Sequence, residues 1–177
     1  MPNRIPLTAA LLVALAVPAF GQSVPPPETS ATAGERATAA LFVQDSVGDV
    51  QLGMLGQQRA RNAAVRALAR AMVRDHTRTA NDGMIVAKQL GADVQFKAGD
   101  ENQIELSHLA RYGGAKFDRE YVKAMIEAHK TDISSAQDAL EFATSPALRS
   151  YLRTSIAIDR RHLAMAEAAQ QQVGTSD

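Results

Sequence analysis

Apolar and polar residues repeat along most of the chain with the spacing of α-helices. Thr32 and Glu35 form an S/T-x-x-E capping box, which predicts a first long helix over 33–59. Asn62 is a suitable cap for a second long helix, whose apolar stripe follows a 3.6-residue period until Gly91. No segment alternates with a period of two for long enough to indicate a β-strand.

The second half of the chain repeats this arrangement. Asp118 is the predicted N-cap of a third long helix, which carries its own apolar stripe. Ser145 and Pro146 then restart the chain, with serine as the cap and proline at the first helical position. We expect this fourth helix to end near Gly174.

The segment between the two helical pairs is too long for a tight turn. It spans 91–116, and Asp100 can begin a short helix within it that runs through Leu109. Two long helices, a long crossover between helices two and three, and two more long helices predict an all-α, ferritin-like four-helix bundle. The alternative, a simple up-down bundle, needs a short loop where this chain has its longest one.

The first residues are predicted to be an export signal. The segment 1–21 has a basic start at Arg4 and an apolar run over 7–17 that is too short to cross a bilayer. A proline-rich leader over 22–32 follows, and the bundle domain is expected over 33–173. We therefore expect an exported protein, most simply periplasmic; secretion and outer-membrane association are the alternatives.

Composition narrows the choice of partners. The chain has no cysteine, so no disulfide supports the exported domain. Its 19 basic and 19 acidic residues balance, and only Arg4 falls within the predicted signal, so no basic face for nucleic acid is expected. After the signal, no stretch is long and apolar enough to span a membrane. An unknown protein or envelope component remains the expected partner.

Three of the four histidines occupy positions on the apolar stripes, near the middle of three different helices. Helices of this length place such residues at similar depth in a bundle, so the three side chains are expected to converge. Carboxylates accompany them, and one of these lies three residues before a histidine, on the same helical face. The candidate metal-site residues are His76, His129, His162, Asp159, Asp49 and Asp75.

Two interpretations of these histidines stay open. In the first, they form a hydrogen-bonded network within the core. In the second, they bind a metal through imidazole and carboxylate groups, or with thioethers from Met72, Met125 and Met165; iron, copper and zinc are the candidate cofactors. A standard di-iron centre is not expected, because His162 alone among the three mid-helix histidines has a carboxylate three residues before it, and that residue is Asp159 rather than glutamate.

Several stretches resemble the bacterial family catalogued as domain of unknown function 4142. The most specific is Phe-Asp-Arg-Glu-Tyr-Val over 117–122, and the mid-helix histidines add to the resemblance, which extends over about residues 37–170. It implies an exported ferritin-like bundle, without an assigned activity. Two residues depart from the family pattern: Asp49 stands where glutamate is expected, and Ala128 where an aspartate often precedes the histidine.

No motif of a hydrolase or nucleotide enzyme is present, such as G-x-S-x-G, a P-loop or H-E-x-x-H. The leading functional interpretation is a non-enzymatic envelope or interaction module. The rival is a metal-binding or redox protein that uses the His/carboxylate/Met cluster of the core.

Overall fold

The structure, a computed structural model, describes residues 31–174. The predicted signal peptide and all but the last two residues of the predicted leader lie outside this range. The described part is all-α and contains no strand. Its helices are α1 (Ala33–Arg59), α2 (Ala63–Gln89), α3 (Asp100–Leu109), α4 (Gly114–Phe142) and α5 (Pro146–Val173).

Four long helices form two antiparallel pairs. The helix α1 packs mainly on α2, α4 packs mainly on α5, and α2 joins the pairs by packing on α5. The connection between the pairs contains the short helix α3, which lies against α1 and α4. Residues 31–174 therefore contain five helices rather than four, the additional one being the short helix predicted within the crossover. Among the helices of residues 31–174, none has an apolar stretch long enough to span a membrane.

Most helix ends follow the predicted caps, and one does not. The Thr32–Glu35 capping box, the Asn62 cap and the Ser145 cap are all confirmed. The prediction that Asp118 caps the third long helix is wrong, because α4 begins at Gly114. Gly113 and Gly114 make the extended and left-handed backbone of this start without side-chain strain.

Two buried carboxylates instead tie the tight turns to other helices. Asp118 accepts hydrogen bonds from the backbone N–H groups of Arg61 and Asn62, at 3.0 and 2.8 Å, in the turn between α1 and α2. Glu35 accepts from the N–H groups of Thr144 and Ser145, at 2.7 Å each, in the turn between α4 and α5. Each carboxylate satisfies backbone donors at a turn, where the helices themselves provide no acceptor.

The core contains two large apolar clusters with polar side chains between them, and a small third cluster of Val47, Ala80 and Ala98. One cluster includes Leu52, Met72 and Tyr121, and the other includes Leu148 and Leu152. Along each long helix, the residues between the two clusters include buried histidine or aspartate. The helix pairs approach closely, because a Cβ at Gly56 would lie only 2.7 Å from the Tyr121 ring. This packing holds the polar layer at a fixed depth.

Candidate metal centre

Three histidines from three helices meet in the polar layer. His76 of α2, His129 of α4 and His162 of α5 are at most 2 % exposed. Their ring centroids lie 4.9 to 5.8 Å apart. With one oxygen of Asp159 on α5, the three imidazoles offer four ligand atoms that all lie within 4.8 Å of one another. The predicted convergence of the three histidines is therefore present in the fold.

His162 is oriented by an anionic carboxylate behind it. Its Nε2 lies 3.0 Å from Oδ2 of Asp75, and its Nδ1 faces Nε2 of His76 at 3.1 Å. Burial alone would raise the pKa of Asp75, but hydrogen bonds from Arg74 and His162 and the charge of Arg161 lower it to about 2. Because Asp75 is ionised, it accepts the proton of His162 Nε2 and leaves Nδ1 with a free lone pair.

His129 is oriented by the backbone of its own helix. Its Nδ1 donates to the carbonyl oxygen of Met125 at 2.7 Å, which leaves Nε2 as an acceptor. That Nε2 is buried and has no hydrogen-bond partner within the described residues. Burial, together with the neighbouring His162, lowers the pKa of His129 to about 4, so the ring is neutral at pH 7. The lone pair therefore remains available to a ligand.

His76 lies between the other histidines and a group of aspartates. Its Nε2 is 3.9 Å from Oδ1 of Asp159, and its Nδ1 is 3.4 Å from Oδ2 of Asp49. The second contact is not aligned as a hydrogen bond, so Nδ1 has no partner in the described part of the chain. Burial and the two neighbouring histidines lower the pKa of His76 well below its usual range. Both nitrogens of this neutral ring thus face oxygen or nitrogen atoms that accept hydrogen bonds, although only one of the two nitrogens carries a proton.

Two further aspartates extend the site. Asp45 lies one turn before Asp49 on α1, and Asp132 lies one turn after His129 on α4. Burial, reinforced by neighbouring carboxylates, raises the pKa of Asp132 to about 8, of Asp159 to about 7 and of Asp45 to about 6. It also raises the pKa of Asp49 well above the usual value. No Lys or Arg of residues 31–174 forms an ion pair with any of these four carboxylates.

The aspartates line two neighbouring spaces. A small pocket of about 10 Å³ touches His76 and four carboxylates, those of Asp45, Asp49, Asp132 and Asp159. A larger cavity of about 420 Å³ shares three of those carboxylates and opens beneath α3. Its other charged lining groups are mostly acidic and come from α3 and α4, namely Glu101, Glu105, Glu120, Glu127 and Lys123. The larger cavity is therefore mostly acidic and lies on the aspartate side of the site.

All six candidate residues lie in or beside the polar layer, but not in equivalent places. His76, His129, His162 and Asp159 present ligand atoms to one another. Asp75 contacts the outer nitrogen of His162, and Asp49 faces the outer nitrogen of His76.

The methionines pack with the apolar cluster. The sulfur of Met72 accepts the Tyr121 hydroxyl at 3.3 Å, Met125 is buried in that cluster, and Met165 packs against it. We therefore leave thioethers out of the site.

Fold and site together define an all-helical bundle protein with a buried histidine–aspartate cluster. The family model for Domain of unknown function (DUF4142) matches residues 21–169. The chain therefore belongs to this family, as its sequence motifs indicated. No curated protein shows significant similarity to the chain.

A solved structure has the same fold. The crystal structure of a DUF305 fragment from Deinococcus radiodurans superimposes with a TM-score of 0.71. The match covers 83 % of this chain and 99 % of that one, at 16 % sequence identity. At this identity the likeness extends to the fold alone.

Proposed function

We propose that this protein is an exported, ferritin-like bundle that binds a transition-metal ion between His76, His129, His162 and Asp159. The observation that carries the proposal is the convergence of three neutral imidazoles and one carboxylate, with all four ligand atoms within 4.8 Å. Imidazole nitrogens and carboxylate oxygens suit zinc, iron and copper.

The protonation of the three rings supports a metal better than it supports a closed hydrogen-bond network. The outer nitrogens of His129 and His162 donate to Met125 O and Asp75, so their inner nitrogens carry lone pairs. Without a cation, a proton on His76 Nε2 satisfies His162 Nδ1 at 3.1 Å, but His129 Nε2 stays without a donor. A metal ion accepts all three lone pairs at once.

One distance within the site agrees with such an ion, while His76 Nε2 and Asp159 Oδ1, which lie 3.9 Å apart, would have to come closer to bind it together. For bonds of about 2.0 to 2.1 Å around tetrahedral zinc, neighbouring ligand atoms lie about 3.3 Å apart. The separation of 3.1 Å between His76 Nε2 and His162 Nδ1 is close to this value. The outer contacts to Asp75 and Met125 O match the carboxylate and carbonyl partners that metal-binding histidines usually have.

The donor set favours binding over catalysis. Three protein nitrogens and one protein oxygen complete a four-coordinate site, and all four residues are buried. A closed site of this kind holds a metal without leaving a position for substrate. We therefore propose zinc, copper or iron binding without an enzymatic step. The interpretation as an interaction module stays a prediction.

Thermal melts with and without metal test the proposal. At a free-metal concentration a hundredfold above Kd, we expect the free energy of unfolding to rise by about 2.7 kcal/mol. The His129→Ala and His162→Ala variants should lose most of this increment. The fourth histidine supplies the matched control: His108→Ala, on the short helix α3, should keep it. A wild-type melting temperature that does not change when zinc, copper or iron is added would refute the proposal.

A further inference from the structure

A single metal ion between the three histidines leaves the second nitrogen of His76 and the neighbouring aspartates of α1 and α4 without a ligand. His76 presents Nε2 to the other histidines and Nδ1 to the small pocket. That Nδ1 is fully buried and has no hydrogen-bond partner among the described residues. Four carboxylates line the same pocket, and none of them pairs with a Lys or Arg of residues 31–174. The pocket thus joins an unpartnered nitrogen with four carboxyl groups that no Lys or Arg of the described residues neutralises.

We propose a second cation site in this pocket, formed by Asp45, Asp49 and Asp132 with Nδ1 of His76. It extends the proposed function, since His76 then lies between two cations, but its carboxylates take no part in the first site. The preferred ligand is a divalent cation of intermediate hardness, such as Mn²⁺ or Fe²⁺, because oxygen ligands predominate and one imidazole completes them.

The size of the pocket agrees with one cation. Its volume of about 10 Å³ is close to that of a single water-sized sphere. The 3.4 Å between Oδ2 of Asp49 and Nδ1 of His76 matches the separation of two adjacent ligands on an ion with bonds of about 2.3 Å. Ser46, Thr79 and Ser155 supply further oxygen atoms at its wall.

Proton release balances the binding. Binding at Nδ1 requires that this nitrogen carry no proton, while Nε2 binds the first metal. His76 would therefore become an imidazolate bridge, and its ring proton would leave to solvent together with the protons that Asp49 and Asp132 hold in the metal-free protein. The acidic cavity of about 420 Å³ shares Asp45, Asp49 and Asp132 with the pocket. A hydrated cation approaching from solvent is attracted by this cavity and exchanges water for carboxylate oxygens on entry.

Metal counting with two kinds of variant tests the second site separately from the first. The purified protein is first loaded with one equivalent of Zn²⁺ and then titrated with Mn²⁺, while the electron paramagnetic resonance signal of free Mn²⁺ is followed. We expect wild type to bind one Mn²⁺ per chain in addition to Zn²⁺. The Asp132→Asn variant should bind Mn²⁺ at least tenfold more weakly, and Asp45→Asn provides a second variant of the same kind.

Matched controls keep the outcomes distinct. Asp138→Asn changes an exposed aspartate on the same helix as Asp132 and should leave both metals bound. His129→Ala removes a ligand of the first site only, so it should lose Zn²⁺ and keep Mn²⁺. Suppose that zinc binding depends on His129, but that manganese does not bind to wild type or binds equally well to Asp132→Asn. The second site is then refuted and the proposed function stands. If manganese binding depends on Asp132 but zinc binding does not depend on His129, the proposed function is refuted and the second site stands.

Discussion

Buried carboxylates at the ends of this bundle differ from those at its middle. At the ends, Glu35 and Asp118 accept backbone N–H groups of the tight turns. Those hydrogen bonds, from Thr32 and Ser145 first, lower the pKa of Glu35 to about 2. At the middle, burial and like charges raise the pKa of Asp132 to about 8 and of Asp159 to about 7. Backbone hydrogen bonds stabilise the charge of the two carboxylates at the ends. Within residues 31–174, no such hydrogen bonds stabilise the charge of the two at the middle.

This difference separates a structural role from a binding role. A compensated carboxylate holds two segments together, and its loss leaves backbone donors unsatisfied. Crowded carboxylates without donors or cations oppose folding, because burial and mutual repulsion disfavour their charge. A chain that keeps four such groups beside three neutral histidines has a core that a cation would stabilise. The comparison therefore predicts opposite mutational effects in the two regions.

The largest effect is expected at the end of the bundle. Glu35→Ala leaves the N–H groups of Thr32, Thr144 and Ser145 without their acceptor. We expect the free energy of unfolding to fall by about 3 kcal/mol, with or without metal. Chemical denaturation measures the loss. The exposed Glu141→Ala serves as the control, and an equally small effect of both variants would contradict a structural role for Glu35.

The sequence predicted the histidines because their spacing continued the apolar stripes. A polar residue on such a stripe has to be buried when the helix packs, so His76, His129 and His162 were brought to one depth by helix geometry alone. The same reasoning placed Asp159, three residues before His162, on the correct face.

Other parts of the site depended on contacts between helices that the sequence does not reveal. Asp132 follows His129 by three residues, and Asp45 precedes Asp49 by four. Neither residue therefore has the spacing, three residues before a histidine, that indicated Asp159. Asp118 has the sequence context of an N-cap, yet its partners lie in the turn between α1 and α2. Its role became visible only once that turn was placed against α4.

A smaller effect of opposite sign is expected at the middle of the bundle. Asp132→Asn removes a carboxyl group whose pKa burial and Asp159 raise to about 8. In the absence of metal at pH 8.5, the neutral amide should increase the free energy of unfolding by about 1 kcal/mol, since each pKa unit corresponds to about 1.4 kcal/mol and relaxation reduces the gain. Thermal melts in a chelator measure it. Destabilisation by Asp132→Asn, with Asp138→Asn neutral, would mean that the carboxylate is compensated after all.

The smallest effect is a pH dependence that differs between the two regions. Glu35, with a pKa of about 2 when folded, contributes stability above pH 4.5 that is lost as the pH falls toward 2. For Asp132 and Asp159 the sign is reversed, because the folded state keeps protons that the unfolded state has already lost. Between pH 4 and 6.5 the histidines oppose this trend, since the pKa of His129 is lowered to about 4.

Above pH 6.5 the contribution of the histidines fades, because the unfolded state also loses its imidazole protons there, and the aspartates dominate. We therefore expect the metal-free protein to lose stability gradually between about pH 6.5 and 8, and Asp132→Asn to flatten this decline. Zinc should weaken this decline, because it displaces the proton that Asp159 otherwise keeps in the folded state and binds more tightly as that proton leaves. Denaturation midpoints at half-unit pH steps, with chelator and with zinc, measure both curves. A metal-free protein whose stability is constant from pH 6.5 to 8 would mean that the middle carboxylates are ionised as easily as those in water, and the contrast with Glu35 would be lost.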